Sequence, residues 1–313
     1  MTLTLAVLIV AQTQAWQVTV DSLARRDQFS GIVLVARAGV PQFERAYGMA
    51  DREAGRPNDL ETAFNLGSIN KFFTAIAIRQ LAAAGKLNVD SSLARAWPDY
   101  PNQDVARRVT IRQILDHRSG LQGNIFGAPP GKTRHEVRGL GDYFELFKNQ
   151  PLQFEPGSRQ QYSNAGYIVL GLLIERLSSE SYYEYVRRHI YEPAGMTRSG
   201  SWPVDSLPAN TAFGYTGDAW PRTRNTEVLP GRGSSAGGGY STAHDLLRLI
   251  SALRGDKIPN AEGAGMGIAG GAPGVNAVLE GDLPGGYDVI VLANLDPPAA
   301  ERVARLIRTA LAP

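Results

Sequence analysis

The sequence predicts an α+β fold: an antiparallel sheet built from both termini, flanked by helices, with a mainly helical region inserted between. Three observations carry this expectation. Strand-like runs sit near both ends, helical periodicity fills the middle, and an amphipathic helix closes the chain. Composition permits it, since 313 residues with 43% hydrophobic and 20% charged side chains supply a large core.

The first strand is expected at Ser30 to Arg37, and Ala38-Gly39-Val40-Pro41 turns it into a partner at Gln42 to Tyr47. Two more strands are read at Val275 to Gly281 and Tyr287 to Leu295, joined by a Pro-Gly-Gly turn. Val303, Leu306, Ile307 and Leu311 recur at helical spacing and define the last helix, 299–311. Residues 16–80 and 240–313 are accordingly read as the sheet domain and 81–239 as the inserted helical domain.

Several function classes fall away on composition. The formal net charge is only +2, without a dense basic run, so no nucleic-acid partner is expected. The absence of cysteine removes disulfides, thiolate metal sites and a thiol nucleophile. No metal or organic cofactor is called for. The apolar run Leu3 to Val10 is too short to span a bilayer, so no integral membrane span is expected. Followed by Ala11-Gln12-Thr13-Gln14-Ala15, it reads as a signal peptide ending near Ala15, and hence as export to the periplasm or medium. No Lys or Arg precedes the run, the first basic residue being Arg25, so a buried terminal segment in a cytoplasmic protein is the alternative. Nothing in the sequence bears on oligomeric state.

The chemistry starts at Ser68-Ile69-Asn70-Lys71, which opens a helical pattern through Phe72, Phe73, Ile76, Ala77 and Leu81 to a stop at Gly85. Side chains at i and i+3 share a helix face, so the amine at 71 reaches the hydroxyl at 68. A serine hydroxyl needs a base to become nucleophilic, and a lysine is a base only when burial or a neighbouring cation keeps it neutral. A helix-capping serine with a solvated lysine is the plainer alternative. A second signal is Tyr162-Ser163-Asn164, on the loop feeding an apolar stretch, Tyr167 to Leu177, read as a core helix. A phenol there can relay a proton to or from Ser68, and the Asn164 amide can orient Lys71 or bind a substrate carbonyl. Tyr100-Pro101-Asn102 matches the same pattern, but no apolar helix follows it, and it is set aside.

These segments resemble the serine β-lactamase and penicillin-binding-protein family, in its class C-like branch with esterases and D-alanyl-D-alanine carboxypeptidases. Gly67-Ser68-Ile69-Asn70-Lys71 is similar to the first box of that family. Glu155-Pro156-Gly157 followed by Gln161-Tyr162-Ser163-Asn164-Ala165-Gly166-Tyr167 is similar to the second. Ile114 to Leu121, Glu192 to Met196 and Gly238 to Leu246 resemble further family segments in order, and the likeness runs from about residue 30 to 313. It implies an acyl-enzyme on Ser68, general acid and base work shared by Lys71 and Tyr162, and substrate contact by Asn164. Which of Lys71 and Tyr162 is the base stays open.

The third box departs from the pattern. Where the family has Lys-Thr-Gly or His-x-Gly on a strand beside the serine, the best match here is Ile268-Ala269-Gly270, and the chain contains no Lys-x-Gly or His-x-Gly. The backbone role is expected to survive, with the N–H groups of Ser68 and Gly271 as oxyanion donors and Gly271 as the point of close backbone approach. The stretch Gly255 to Met266 before it looks short. An ester or small amide is the expected substrate. D-alanyl peptides or β-lactams under the same mechanism are the alternative, and a non-catalytic binding or sensor module that keeps the fold is the second.

Other motifs are read as structural. Gly233-Ser234-Ser235-Ala236-Gly237 spells a nucleophile elbow but follows a loop, Leu229 to Arg232, where that motif needs a strand. Gly265 to Gly270 spells a dinucleotide fingerprint without its strand and helix, and is read as a Gly-rich strand edge. His117, beside Ser119-Gly120, is read as structural. The cleft that sets selectivity is assigned to segments such as 122–150 and 203–232.

Overall fold

Unbroken apolar runs along the terminal strands let one sheet bury both faces. The computed structural model describes residues 15–218, 221–259, 261 and 267–312. Its sheet has five antiparallel strands: β1 (Gly31–Arg37), β2 (Val40–Tyr47), β3 (Gly267–Ala272), β4 (Val275–Leu283) and β5 (Tyr287–Ala293), in the spatial order β2-β1-β5-β4-β3. The termini meet at its centre, where Gly31 pairs with Ala293 and Arg37 with Tyr287. The five longer helices are α1 (15–25), α2 (Asn70–Ala83), α3 (Asn164–Ser178), α4 (Ala243–Arg254) and α5 (Ala299–Leu311).

Period-two alternation sorts the strand residues cleanly. Val33, Val35, Val278, Val289 and Val291 point to one face and pack on Trp16, Val20 and Leu23 of α1 and on Val303, Ala304 and Ile307 of α5. Ile32, Leu34, Leu279, Ile290 and Leu292 point to the other, where α4 covers them with Leu246 and Ile250. That second apolar cluster continues without a break through Phe73 and Ile76 of α2 to Ile168, Leu170 and Ile174 of α3. The reading of Tyr167 to Leu177 as a buried helix therefore matches α3, which begins three residues earlier under a Ser163 cap that accepts from the Gly166 N–H at 3.0 Å.

Ser68 lies just outside α2, in a single 3-10 turn, Gly67–Ile69, that leads into the helix. Strand β3 is the edge nearest this turn, and its Gly-rich sequence is a strand edge as expected. The expected leader falls on residues of which only Ala15 is described, and residues 260 and 262–266 of the stretch ahead of β3, Gly265 and Met266 among them, lie outside the described residues. Among the described residues no helix is long and apolar enough to cross a membrane.

Candidate active site

The turn 67–69 is wedged between two glycine-rich walls. On one side the Leu66 N–H donates to Gly239 O at 2.7 Å and the Gly238 N–H to Gly67 O at 3.2 Å. On the other lies β3. Gly67 has φ +51°, and a Cβ there would stand 2.9 Å from the Gly271 nitrogen. A Cβ on Gly270 would lie 2.0 Å from Leu66 O and 2.9 Å from the Ser68 nitrogen. The close approach expected at Gly271 thus falls on its neighbour. Side chains alternate along a strand, so Gly270 faces the turn, whereas a Cβ on Gly271 would meet the Pro297 ring at 2.9 Å. The Gly271 nitrogen nevertheless stands beside Gly67, and Ser68 and Gly271 line the same cleft.

The three predicted side chains converge. Ser68 Oγ is 2.5 Å from Tyr162 Oη and 3.3 Å from Lys71 Nζ. Lys71 is buried, 6% exposed, at the start of α2. Its amine donates to Asn164 Oδ1 at 2.7 Å and to the Ala236 carbonyl. It also sits 4.6 Å from the centre of the Tyr162 ring. Burial lowers the Lys71 pKa from 10.5 to about 7, against the pull of its hydrogen-bond acceptors toward the ammonium form. Tyr162 is 55% exposed, yet its hydroxyl turns in to Ser68; burial raises its pKa, with the Ser68 hydrogen bond opposing. Asn164 turns its oxygen to Lys71, whose amine donates to it in either protonation state.

Two spaces open from Ser68. The more enclosed one is lined by Ile125, Phe126, Val204, Leu229, Pro230 and, nearer the serine, Asn164 and Gly271. Its walls come from the two segments assigned to selectivity. A shallower groove runs the other way past Tyr162, His117 and Arg79, with Ile268 and Ala269 on its sheet side. The third-box position is therefore beside the serine, and an apolar, half-buried Ile268 occupies it.

Two contributors were not identified from sequence. One is the Ala236 carbonyl, in the segment that spells a nucleophile elbow. That segment is a tight turn, closed by Ser234 N–H to Gly237 O at 2.7 Å, and no elbow. Its density of Gly and Ser signals the turn, but no side chain signals that a carbonyl faces Lys71. The other is His117, whose ring lies 4.6 Å from that of Tyr162 and whose pKa is lowered to about 4 by burial and by the Lys71 charge. Tyr100, in the discarded Tyr-Pro-Asn match, is buried in the helical core. Among the described residues no group of three or more His, Asp or Glu converges as a metal site.

A sequence model of the family described as Beta-lactamase matches residues 16–298. The chain belongs to the Beta-lactamase family. A penicillin-binding protein of Bacillus subtilis (strain 168) is 32% identical over 219 residues, covering 68% of this chain and 47% of its own length. Esterase EstB of Burkholderia gladioli is 31% identical over 269 residues, 75% of this chain and 68% of the esterase. The chain thus spans about half the length of the first relative and two thirds of the second. Among solved structures, a penicillin-binding protein from Bacillus halodurans superimposes with a TM-score of 0.79 at 30% identity, over 96% of this chain and 99% of that one. A D-amino acid amidase from Ochrobactrum anthropi SV3 shares the fold, with a TM-score of 0.80 at 20% identity over 96% and 98%. This family's α+β fold, a helix-flanked antiparallel sheet with a helical part, is the one the sequence predicts.

Proposed function

We propose that the chain is a serine hydrolase that cleaves neutral carboxylic esters and small amides through an acyl-enzyme on Ser68. The carrying observation is that the Ser68 hydroxyl lies between a phenol at 2.5 Å and a buried amine at 3.3 Å. When Lys71 is neutral, two of its hydrogens stay on Asn164 and Ala236, and its lone pair is left for the Ser68 proton. Lys71 is therefore the base. Its depressed pKa supports this assignment, and the raised pKa of Tyr162 keeps the phenol protonated for the leaving group.

The steps follow from those roles. Lys71 takes the Ser68 proton as Oγ attacks the carbonyl carbon. The oxyanion that forms accepts from the Ser68 and Gly271 N–H groups. The intermediate collapses as Tyr162 protonates the departing oxygen or nitrogen, and the Lys71 ammonium returns a proton to the phenolate. Water then deacylates the serine by the same path, while Asn164 offers its NH₂ to the substrate carbonyl.

Substrate class is read from the two spaces. The more enclosed cleft suits an apolar acyl group, set against Ile125, Phe126, Val204 and Leu229. On the leaving-group side strand position 268 offers no cation, which supports neutral alcohols and amines, while Arg79 of α2 lines the same groove. A second reading, D,D-carboxypeptidase or β-lactamase activity, is favoured by the penicillin-binding relatives at 30% and 32% identity. The export reading rests on the apolar run Leu3 to Val10 and Ala15, and N-terminal sequencing of secreted protein tests it.

The deciding experiment is a kinetic panel of short-chain aryl esters, a chromogenic cephalosporin and a D-alanyl-D-alanine peptide, with Ser68→Ala as control. We expect Ser68-dependent turnover of the esters above the other two. Intact-mass analysis after a fluorophosphonate or a penicillin should find one adduct, on Ser68. No adduct with either reagent and no turnover would leave a binding or sensor module.

A further inference from the structure

Tyr162 sits on a loop and is 55% exposed, a poor arrangement for a group that must hold its hydroxyl within hydrogen-bond reach of Ser68. The structure supplies the missing rigidity through one residue. The N–H of Gln161, just before the tyrosine, donates to the His117 carbonyl at 2.8 Å. The N–H of Ser163, just after it, donates to His117 Nδ1 at 3.2 Å. Between these two bonds the imidazole lies against the Tyr162 ring, centroids 4.6 Å apart and planes tilted by 33°. Behind it the Tyr167 ring of α3 backs the imidazole at 5.0 Å.

Each part of this arrangement demands a different property of residue 117. Accepting from Ser163 fixes the Nδ1-acceptor, Nε2–H tautomer of a neutral ring. Stacking needs a flat side chain. The backbone, at φ +56°, turns the carbonyl and the ring toward the same strand of chain, a conformation that Asn tolerates better than most residues. Histidine is the residue that joins an acceptor nitrogen to an aromatic face.

We propose that His117 is a positioning residue for Tyr162, a three-point clamp of carbonyl, ring nitrogen and ring face that holds the phenol on the leaving-group side of Ser68. It takes no proton and touches no reacting atom. The inference rests on Tyr162 acting as general acid, as in the function proposed above.

The test compares two acetates whose leaving groups differ in basicity. A nitrophenolate leaves without protonation, whereas an alkoxide needs an acid. His117→Phe keeps the stacking and loses the acceptor. His117→Asn loses the stacking and keeps an acceptor at a tolerated φ. In either variant we expect kcat/KM to fall by at least ~10-fold for benzyl acetate and by no more than ~3-fold for p-nitrophenyl acetate, a fraction of the usual general-acid contribution. In a Tyr162→Phe background the same substitutions should cost nothing further.

Equal losses on both esters, wild-type rates on both, or an undiminished loss in the Tyr162→Phe background would overturn the clamp. So would failure of both variants to fold, since His117 would then serve the fold rather than the phenol. These results differ from failure of the parent reading, in which the wild type turns over neither ester or Ser68→Ala turns over both.

Discussion

Lys71 is the side chain whose environment decides the chemistry. An amine 6% exposed, with acceptors on three sides, is unusual unless its charge is meant to come and go. We expect Lys71→Ala to lower the acylation rate by at least ~10²-fold, the usual scale for losing a general base. A pre-steady-state burst with an aryl ester reads this directly, and a wild-type burst rate would remove Lys71 from the mechanism. The pH profile carries the sign. The base must be neutral, so kcat/KM rises with pH to an inflection near 7, then holds until the phenol ionises above its ordinary range. A profile flat from pH 5.5 to 8.5 would contradict the assignment. At this scale the legible part of the site was the part written in side chains. Ser68 and Lys71 are three apart, and Tyr162 and Asn164 stand at a recognisable helix entrance. The Ala236 carbonyl was illegible because every residue has one, and only the fold decides which carbonyl meets an amine.

One rigid element brings Ser68, the proposed nucleophile, to the sheet. The turn 67–69 is held so close to β3 that only glycine fits at residues 67 and 270. We expect Gly270→Ala to push β3 away from Ser68 and part the two proposed oxyanion donors. Losing one such donor typically costs 10²–10³ in kcat. The check is kcat on an aryl ester beside a thermal melt, and wild-type turnover would show that the strand yields. The chain pattern made β3 readable as a strand edge, but not which glycine is crowded. That depends on the phase of the pleat, which a run of small residues does not mark. Ile268, two residues back, gives a second test. Ile268→Lys should improve kcat/KM for substrates bearing a leaving-group carboxylate relative to their neutral esters. An unchanged ratio would show that position 268 does not read the leaving group.

At the scale of the whole molecule, the site costs the fold stability, and the cost depends on pH. The sheet was legible because its strands are short apolar runs joined by turn residues at the chain ends, and α3 because an apolar stretch of eleven residues is too long for a strand. The packing that buries Lys71 was not legible, since residues 71, 164 and 236 meet only after the helices close on the sheet. Burial there disfavours the ammonium in the folded state alone. The unfolded chain keeps the ordinary value of 10.5, so between about 7 and 10.5 it binds the extra proton and stability rises with pH. Below 7 the full penalty applies. Lys71→Met removes the titration and keeps an unbranched side chain, so comparing the two proteins isolates the term. We expect the stability of the wild type relative to Lys71→Met to rise between pH 7 and 9.5, at ~1.4 kcal/mol per pH unit in mid-window. Urea unfolding at several pH values measures it. A constant difference would mean that the amine keeps its solution pKa in the folded protein, and the neutral base on which the proposed reaction turns would be lost with it.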